Sequence, residues 1–449
     1  MHPNLYRQRG AIAIMVALAL LVLLSLVGLI VDGGLAYMTK ARLNAAVDSA
    51  ALAAARAVTI GNNQAEQRAS AQDAAARFFA ANIPQGYLLS KPKLLVTNVA
   101  FDGGMVTIDV TAEAPMPVSL MQMTGFTSMT PGASAQTIRR DLDMALVVDT
   151  SRSLESVQST VVSSAKSFLN KFNVTQDRVA LIHFASGAEV DNAISLSARG
   201  FNRASMLRNI DAFNFRGGTS SIEGMWHARS QLNLIPAENR STLRVIVFFS
   251  DGAPTSFGAT VALKYPGDCP SVGKNKGAGV IDMTNNGMYR LNVSEDTLLS
   301  QGCTLANNPA ISLPTWYDAH NIDDDPAKRE FRIVTATPRA VTSSISNGAT
   351  LEDNVDRAAR NLAEAAAAKA RDEGIFVFTL GMGSSLRDRT GTDNEKGEDV
   401  LKCMANVADG PSRCFNPAKP VGMYCYAATE ADLTPCFSRL ASAILRIAK

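Results

Sequence analysis

At 449 residues the chain has room for about three domains by ordinary domain size, and hydrophobic residues make up 47% of it. A formal net charge of +2, from 43 basic and 41 acidic side chains, gives no electrostatic case for a nucleic-acid partner. Four histidines, His2, His183, His227 and His320, and the lack of any CxxC pair argue against a structural zinc site.

The apolar excess is concentrated at the start. Ala11 to Val31 is a run of about 21 residues interrupted only by Ser25 and Gly28, long enough to cross a bilayer as a helix. A cleavable signal would have a shorter apolar core ending in a small-x-small site, and none is evident. Arg7 and Arg9 before the span are answered by Lys40 and Arg42 beyond it, offset by Asp32, so charge alone orients the span weakly. Cysteine usage adds to it. Cys269, Cys303, Cys403, Cys414, Cys425 and Cys436 all lie far beyond the span, which suits an oxidising compartment. The N-terminus is therefore placed in the cytoplasm and the remainder outside it. Proximity pairs Cys269 with Cys303; the other pairings stay open.

Past Gly33 and Gly34 the helix is expected to continue through an Ala-rich stretch free of proline. Lys40, Asn44, Asp48 and Arg56 form one stripe, while Leu35, Leu43, Val47, Ala50 and Ala54 lie elsewhere. That small-residue face suits either a packed helix or a bare stalk. Residues Asn63 to Arg140 read as a small α+β module. A helix over Gln64–Ala81 ends before Pro84, and strands Leu94–Phe101 and Met105–Glu113 flank the turn Asp102-Gly103-Gly104. Val106, Ile108, Val110 and Ala112 alternate with polar residues, so one face of the second strand is buried. Met116, Met121, Met123 and Met129 read as core filler.

From Asp141, strand and helix patterns alternate, as in a parallel sheet flanked by helices. The segment DMALVVDTSRS, Asp143 to Ser153, is an apolar run that stops in oxygen-bearing side chains. Leu154, Val157, Val161, Ala165, Phe168 and Phe172 then recur at helical spacing, so Asp149, Ser151 and Ser153 occupy the turn between a strand's carboxyl end and a helix. Open α/β sheets bind ligands at that edge. A carboxylate and two hydroxyls there suit a hard divalent cation, although Asp149 or Ser153 alone would equally suit helix capping. Two further stretches favour the cation. Phe215-Arg216-Gly217-Gly218-Thr219 offers a hydroxyl after a flexible glycine pair, and the buried strand LRVIVFFS, Leu243 to Ser250, ends at Asp251.

Around these, Arg178–Phe184 and Ala188–Ser195 form an antiparallel edge pair, followed by helices near Arg203–Phe213 and Ile222–Leu232. His183 and Trp226 read as packing residues. The regular pattern lapses between about Ala253 and Ala349, which marks an insertion placed beside the cation site. Asp323-Asp324-Asp325 lacks the spacing of a calcium loop and reads as a solvated turn. A long helix over Leu351–Glu373 stops at Gly374, strands Ile375–Leu380 and Tyr424–Ala427 follow, and a final helix puts Leu433, Phe437, Leu440, Ile444 and Ile447 on one buried face.

DxSxS, a Thr after Gly-Gly and an Asp after a hydrophobic strand resemble the metal-ion-dependent adhesion site of von Willebrand factor A domains. The likeness places Asp149, Ser151, Ser153, Thr219 and Asp251 on the five site positions, none of them substituted. It implies a magnesium ion, with manganese or calcium as alternatives, held by the hydroxyls directly and by the carboxylates largely through water. A partner's Asp or Glu would complete the coordination.

Arg7 to Ala57 resembles the N-terminal segment of TadG-like proteins of the tight-adherence (Flp) pilus machinery: basic residues, Arg-Gly, a single span, Val-Asp, an aromatic and the tail DSAALAAA. Prepilin-like relatives cut after such a glycine carry a Glu five residues on. Here that position is Met15, so a retained anchor is expected.

The expected architecture is α/β, a doubly wound and mostly parallel sheet preceded by a transmembrane helix and the α+β module. Residues 1–9 are cytoplasmic, 10–58 the span and its Ala-rich extension, 59–140 the module, and 141–449 the A domain with its insertion at about 253–349. No GxSxG elbow, HExxH or phosphate loop is present, and no His is placed to activate Ser151 or Ser153, so the chain reads as a binder rather than an enzyme. The resemblances imply a single-pass protein of a bacterial inner membrane, its bulk in the periplasm or at the cell surface, that works with other pilus-assembly components and binds a protein partner. The alternative is a structural envelope or secretion component whose metal site only stabilises the fold.

Overall fold

The computed structural model describes residues 9–58, 60, 64–102, 105–262, 276–282, 288–299, 312–321, 323, 325–344 and 348–447. They form two compact units, Met1–Arg139 and Arg140–Lys449.

The first unit begins with one helix, α1 (Arg9–Ala57), which continues through both Gly33 and Gly34. Its apolar part is exposed and carries a window long enough and apolar enough to cross a membrane. The Ala-rich part is packed. Lys40, Asn44, Asp48 and Arg56 face solvent, while Leu43, Val47, Ala50 and Ala54 are buried in a core with Ala71, Ala75 and Phe79 of α2 (Gln64–Asn82). A helix and not a bare stalk is the outcome, because alanines let the two backbones approach closely.

The strands β1 (Lys93–Asp102) and β2 (Met105–Glu113) pair antiparallel with Asp102 opposite Met105. Val106, Ile108, Val110 and Ala112 of β2 are all buried. A third strand, β3 (Gly132–Arg140), completes the sheet in the order β1-β2-β3. No apolar alternation marks it, since its inward residues Ala133 and Ala135 are too small to make one conspicuous. The reading of methionines as core filler needs correction: Met116 is buried, but Met121 and Met129 are only half-buried. Asp32, counted in the sequence with the flanking charges, is 1% exposed.

In the second unit a six-stranded sheet runs β12-β11-β7-β4-β5-β6. These are β4 (Leu142–Asp149), β5 (Arg178–Phe184), β6 (Ala188–Asn192), β7 (Leu243–Ser250), β11 (Phe376–Met382) and β12 (Tyr424–Ala427). Neighbours are parallel except for β5 and β6, the antiparallel edge pair. The expected edge strand to Ser195 stops at Asn192.

Successive side chains of a strand point to opposite faces, and both faces here are covered. Ala145 and Val147 of β4 join α5 (Ser221–Leu234), α6 (Gly348–Asp372) and α7 (Gly397–Ala405). Met144, Leu146 and Val148 join α3 (Gln158–Leu169), α4 (Arg203–Asp211) and α8 (Glu430–Ile447). Leu433, Phe437, Leu440 and Ile444 of α8 are buried as the spacing predicts; Ile447, in its last turn, is 37% exposed. Phe437 lies 5.3 Å from the Phe168 ring and 5.9 Å from that of Phe249.

Cys403 is bonded to Cys414 and Cys425 to Cys436, each pair 11 residues apart. The first closes the loop after α7 and the second ties β12 to α8. Such bonds typically contribute about 2–4 kcal/mol by restricting the unfolded chain. Cys269 and Cys303 lie outside the described residues. The insertion contains its own antiparallel sheet, β8 (Ser256–Ala262), β9 (Lys276–Asp282) and β10 (Met288–Tyr289). Asp325 caps a short turn by accepting the Ala327 N–H at 3.0 Å, and Asp324 is outside the described residues.

Phe437→Ala should destabilise the second unit by about 3–5 kcal/mol, because it empties a ring-filled space that helices on a fixed sheet refill poorly. Urea unfolding followed by tryptophan fluorescence measures the loss.

Candidate metal centre

The strands β5 and β7 lie on opposite sides of β4. The chain thus leaves β4 to one side and returns on the other, which opens a crevice at the carboxyl ends of these strands. Because β4 and β7 are parallel with Val148 opposite Phe249, Asp149 ends its strand beside Ser250 and Asp251. Asp149 is fully buried and Asp251 is 7% exposed.

One hydrogen-bonded chain links four of the five expected residues. Asp149 Oδ1 accepts the Ser151 N–H at 2.8 Å and its Oδ2 accepts the Ser250 hydroxyl at 2.5 Å. The Ser151 and Ser153 hydroxyl oxygens are 3.1 Å apart, and Ser153 Oγ donates to Asp251 Oδ1 at 2.9 Å. Thr219 joins from the third side, its Oγ1 3.8 Å from the position a Cβ would take on Gly252. Ser151 and Thr219 are buried, whereas Ser153 is exposed, so the cluster opens to solvent on one side. Asp149 does not cap α3. A 3-10 turn over Arg152–Val157 separates them, and α3 starts only at Gln158.

Backbone bonds fix the three loops against one another. Thr150 N–H donates to Phe184 O, Arg216 N–H to Thr150 O, and Arg152 N–H to Gly217 O, at 2.8 to 3.1 Å. Thr219 N–H donates to Thr255 Oγ1 and Thr255 N–H returns to Thr219 O. Gly217 sits at φ +92, where an added Cβ would come within 2.7 Å of Ser186 Oγ; only glycine fits there. The Gly218 N–H rests on the same Ser186 oxygen at 2.8 Å.

Sequence reasoning did not find Ser250, Ser186 or Glu223. Ser250 stands directly before Asp251 and could have been read as a donor to the neighbouring strand's carboxylate. Glu223, on α5 just after the Thr219 loop, is fully buried. It accepts the Tyr317 hydroxyl at 2.8 Å and the Gly258 N–H at 2.9 Å, and pairs with His320 Nε2 at 2.8 Å. It therefore ties α5, the strand after Asp251 and the insertion together. Its position three residues after Ser220 resembles a capping box, which hides this use. His183 bonds Asp191 through Nδ1 at 2.8 Å and stacks on Phe213, and Trp226 is half-buried with His320 stacked 3.6 Å away. Both pack as expected, His183 with a polar partner in addition. The insertion reaches the rim, where Ser294 O accepts the Ser186 N–H and Asp296 accepts the Ser186 hydroxyl.

Burial pushes the Asp149 carboxyl up to about 6 against the pull of its hydrogen-bond donors. Burial, with the charge of Asp149, pushes Asp251 up to about 7. Two close carboxylates that resist joint ionisation, ringed by hydroxyls, form an all-oxygen donor set that fits a hard divalent cation.

Residues 143–267 match the family model for the von Willebrand factor type A domain, and residues 10–57 match that for Flp pilus-assembly TadE/G-like proteins. The chain carries a TadE/G-like segment and a von Willebrand factor A domain. No curated protein matches it. Among solved structures, the A domain resembles the vWF domain of the type V pili tip protein Mfa5 from Porphyromonas gingivalis, at 15% identity and TM-score 0.38 over 70% of this chain and 98% of that one. The PilB minor pilin from Streptococcus sanguinis is similar at 12% identity and TM-score 0.38, over 80% and 79%. The pilus adhesin SpaC from Lactobacillus rhamnosus GG is similar at 14% identity and TM-score 0.39, over 79% of this chain and only 35% of that one.

Because both carboxyls sit above their ordinary values, the metal-free fold holds these protons more tightly than the unfolded chain does. That stability is complete below about pH 4 and is lost as pH rises through the folded values near 6 and 7. The melting temperature of the A domain in EDTA should therefore fall from about pH 5 to pH 7.5. Asp251→Asn should flatten that fall, and magnesium should restore the wild type at the higher pH but not the variant.

Proposed function

We propose that this chain is a membrane-anchored, extracytoplasmic protein of Flp pilus assembly or surface adhesion, whose A domain binds a partner protein through a shared divalent cation. The observation that carries this reading is the linked set Asp149, Ser151, Ser153 and Asp251, with Thr219 alongside, all buried except the exposed Ser153. Ser151, Ser153 and Thr219 would supply hydroxyl oxygens and the two carboxylates would hold water around the ion. Bound there, a cation acts as a Lewis acid with residual positive charge, because hydroxyl donors neutralise it less than a ring of carboxylates would. An Asp or Glu of the partner is drawn to the remaining position.

The apolar stretch of α1 and the TadE/G-like match support this setting. The apolar part of α1 would span the bacterial inner membrane once, with the bulk of the chain in the periplasm or at the cell surface. Two disulfides in the A domain suit that oxidising side. Magnesium is the preferred ion on oxygen-donor chemistry, and the role in this reading is binding: among the described residues Ser151 and Ser153 bond each other and Asp251.

Asp149→Ala should weaken magnesium binding by about 10- to 100-fold, the loss usual when a group that orients a metal's shell is removed. It should also abolish metal-dependent partner binding while the fold persists. Calorimetric titration with magnesium, and crosslinking in intact cells with and without EDTA, read the two effects. Magnesium uptake with partners indifferent to EDTA would reject the shared-ion reading and leave the cation a purely structural role.

A further inference from the structure

Residues 118–126, VSLMQMTGF, are fastened to the end of the apolar stretch of α1 at two points. The Asp32 carboxylate accepts the backbone N–H groups of Ser119, Leu120 and Met121 at 3.0, 2.9 and 2.8 Å. One turn earlier Gly28 is buried, and a Cβ there would lie 2.9 Å from Leu120 Cβ, so the segment lies flush on the helix. The residues around Gly28 are not covered: Leu26, Val27, Leu29, Ile30 and Val31 are all exposed.

A rise of about 1.5 Å per residue puts Gly28 about 4–5 Å inside the end of the apolar stretch at Val31. This depth rests on the reading of that stretch as a membrane span. The hydrocarbon edge then falls near Asp32, and the attached segment sits at the boundary of headgroups and acyl chains. Its composition suits that level. No charged residue occurs between Glu113 and Arg139. Leu120 and Met121 are half-buried, and Phe126 is 56% exposed at the turn after Gly125. A water-facing turn would expose such a ring at a cost, whereas an interface of headgroups and acyl tails accepts it. Three backbone donors on Asp32 also explain how a carboxylate is tolerated beside hydrocarbon.

We propose that residues 118–126 are an interfacial membrane anchor, in which Leu120, Met121 and Phe126 enter the outer boundary of the phospholipid bilayer that α1 crosses. Continuity with the lipid-facing side of α1 is what selects lipid over a protein occupant. The anchor makes a second attachment beside the span and fixes how the α+β module stands on the membrane.

The full chain, reconstituted in phosphatidylcholine and phosphatidylglycerol vesicles, tests this with Trp226 and Trp316 replaced by Phe and Phe126→Trp as sole reporter. Blue-shifted emission is expected, quenched most by lipids brominated near the headgroup end of the acyl chain. Adding Gly28→Leu, which pushes the segment off the helix, should diminish that quenching. Leu21→Trp in the same background reports the span itself and should be quenched most by bromines deep in the chain. An unquenched Leu21→Trp would overturn the span and the anchor together. A quenched Leu21→Trp with an unquenched, water-like Phe126→Trp overturns the anchor alone. Blue-shifted emission at 126 without quenching also overturns it, assigning the patch to a second copy or a protein partner. If the background lacking both native tryptophans does not fold, a nitroxide on Phe126→Cys in the otherwise native chain gives the same decision from its relative collision rates with oxygen and a nickel chelate.

Discussion

Two carboxylates forced together at the end of a sheet set the terms for the A domain. Strands β4 and β7 are parallel neighbours, so the side chains that follow their last buried residues, Asp149 and Asp251, share one crevice. Burial and like charge work against their joint ionisation. The surrounding groups answer that strain with donors: the Ser250, Ser151 and Ser153 hydroxyls and the Ser151 N–H. A cation would answer it more fully, since it neutralises both charges at once.

The loops carrying these groups are not free to spread apart. Thr150 is bonded to the end of β5, Arg216 and Arg152 cross-link the first two loops, and the Thr219–Thr255 pair joins the second to the third. Holding oxygens in place in advance would lower the ordering cost of binding a cation there. Glu223 extends the same principle outward. By joining Tyr317, His320 and Gly258 it fixes the insertion against the helix that starts beside Thr219. The insertion meets the rim again through Ser186, Ser294 and Asp296, which is where a partner approaching the open side would meet it.

The N-terminal unit solves a different problem, the passage from an apolar helix to a folded module without a hinge of exposed backbone. Small residues do much of this. Ala46, Ala50 and Ala54 allow close packing on α2, and Gly28 lets the 118–126 segment lie against the helix itself. Asp32 then locks that segment with charge-assisted hydrogen bonds to three successive amides.

Local periodicity and turn chemistry are written in neighbouring residues, and they made the layout legible: the long apolar run, the switch to period-two and then alternating strand and helix patterns, and the edge residues Asp149, Ser151, Ser153, Thr219 and Asp251. Small residues hid β3, and a capping-like spacing hid the use of Glu223. Which cysteines pair, that Asp32 is buried, that Met121 is not core, and that Ser250 serves Asp149 emerged from the packed fold. Each depends on groups that are not sequence neighbours meeting across a loop, a strand pair or a helix face. No local pattern encodes that meeting; it is fixed by which packing buries the most apolar surface while leaving the fewest polar groups unpaired.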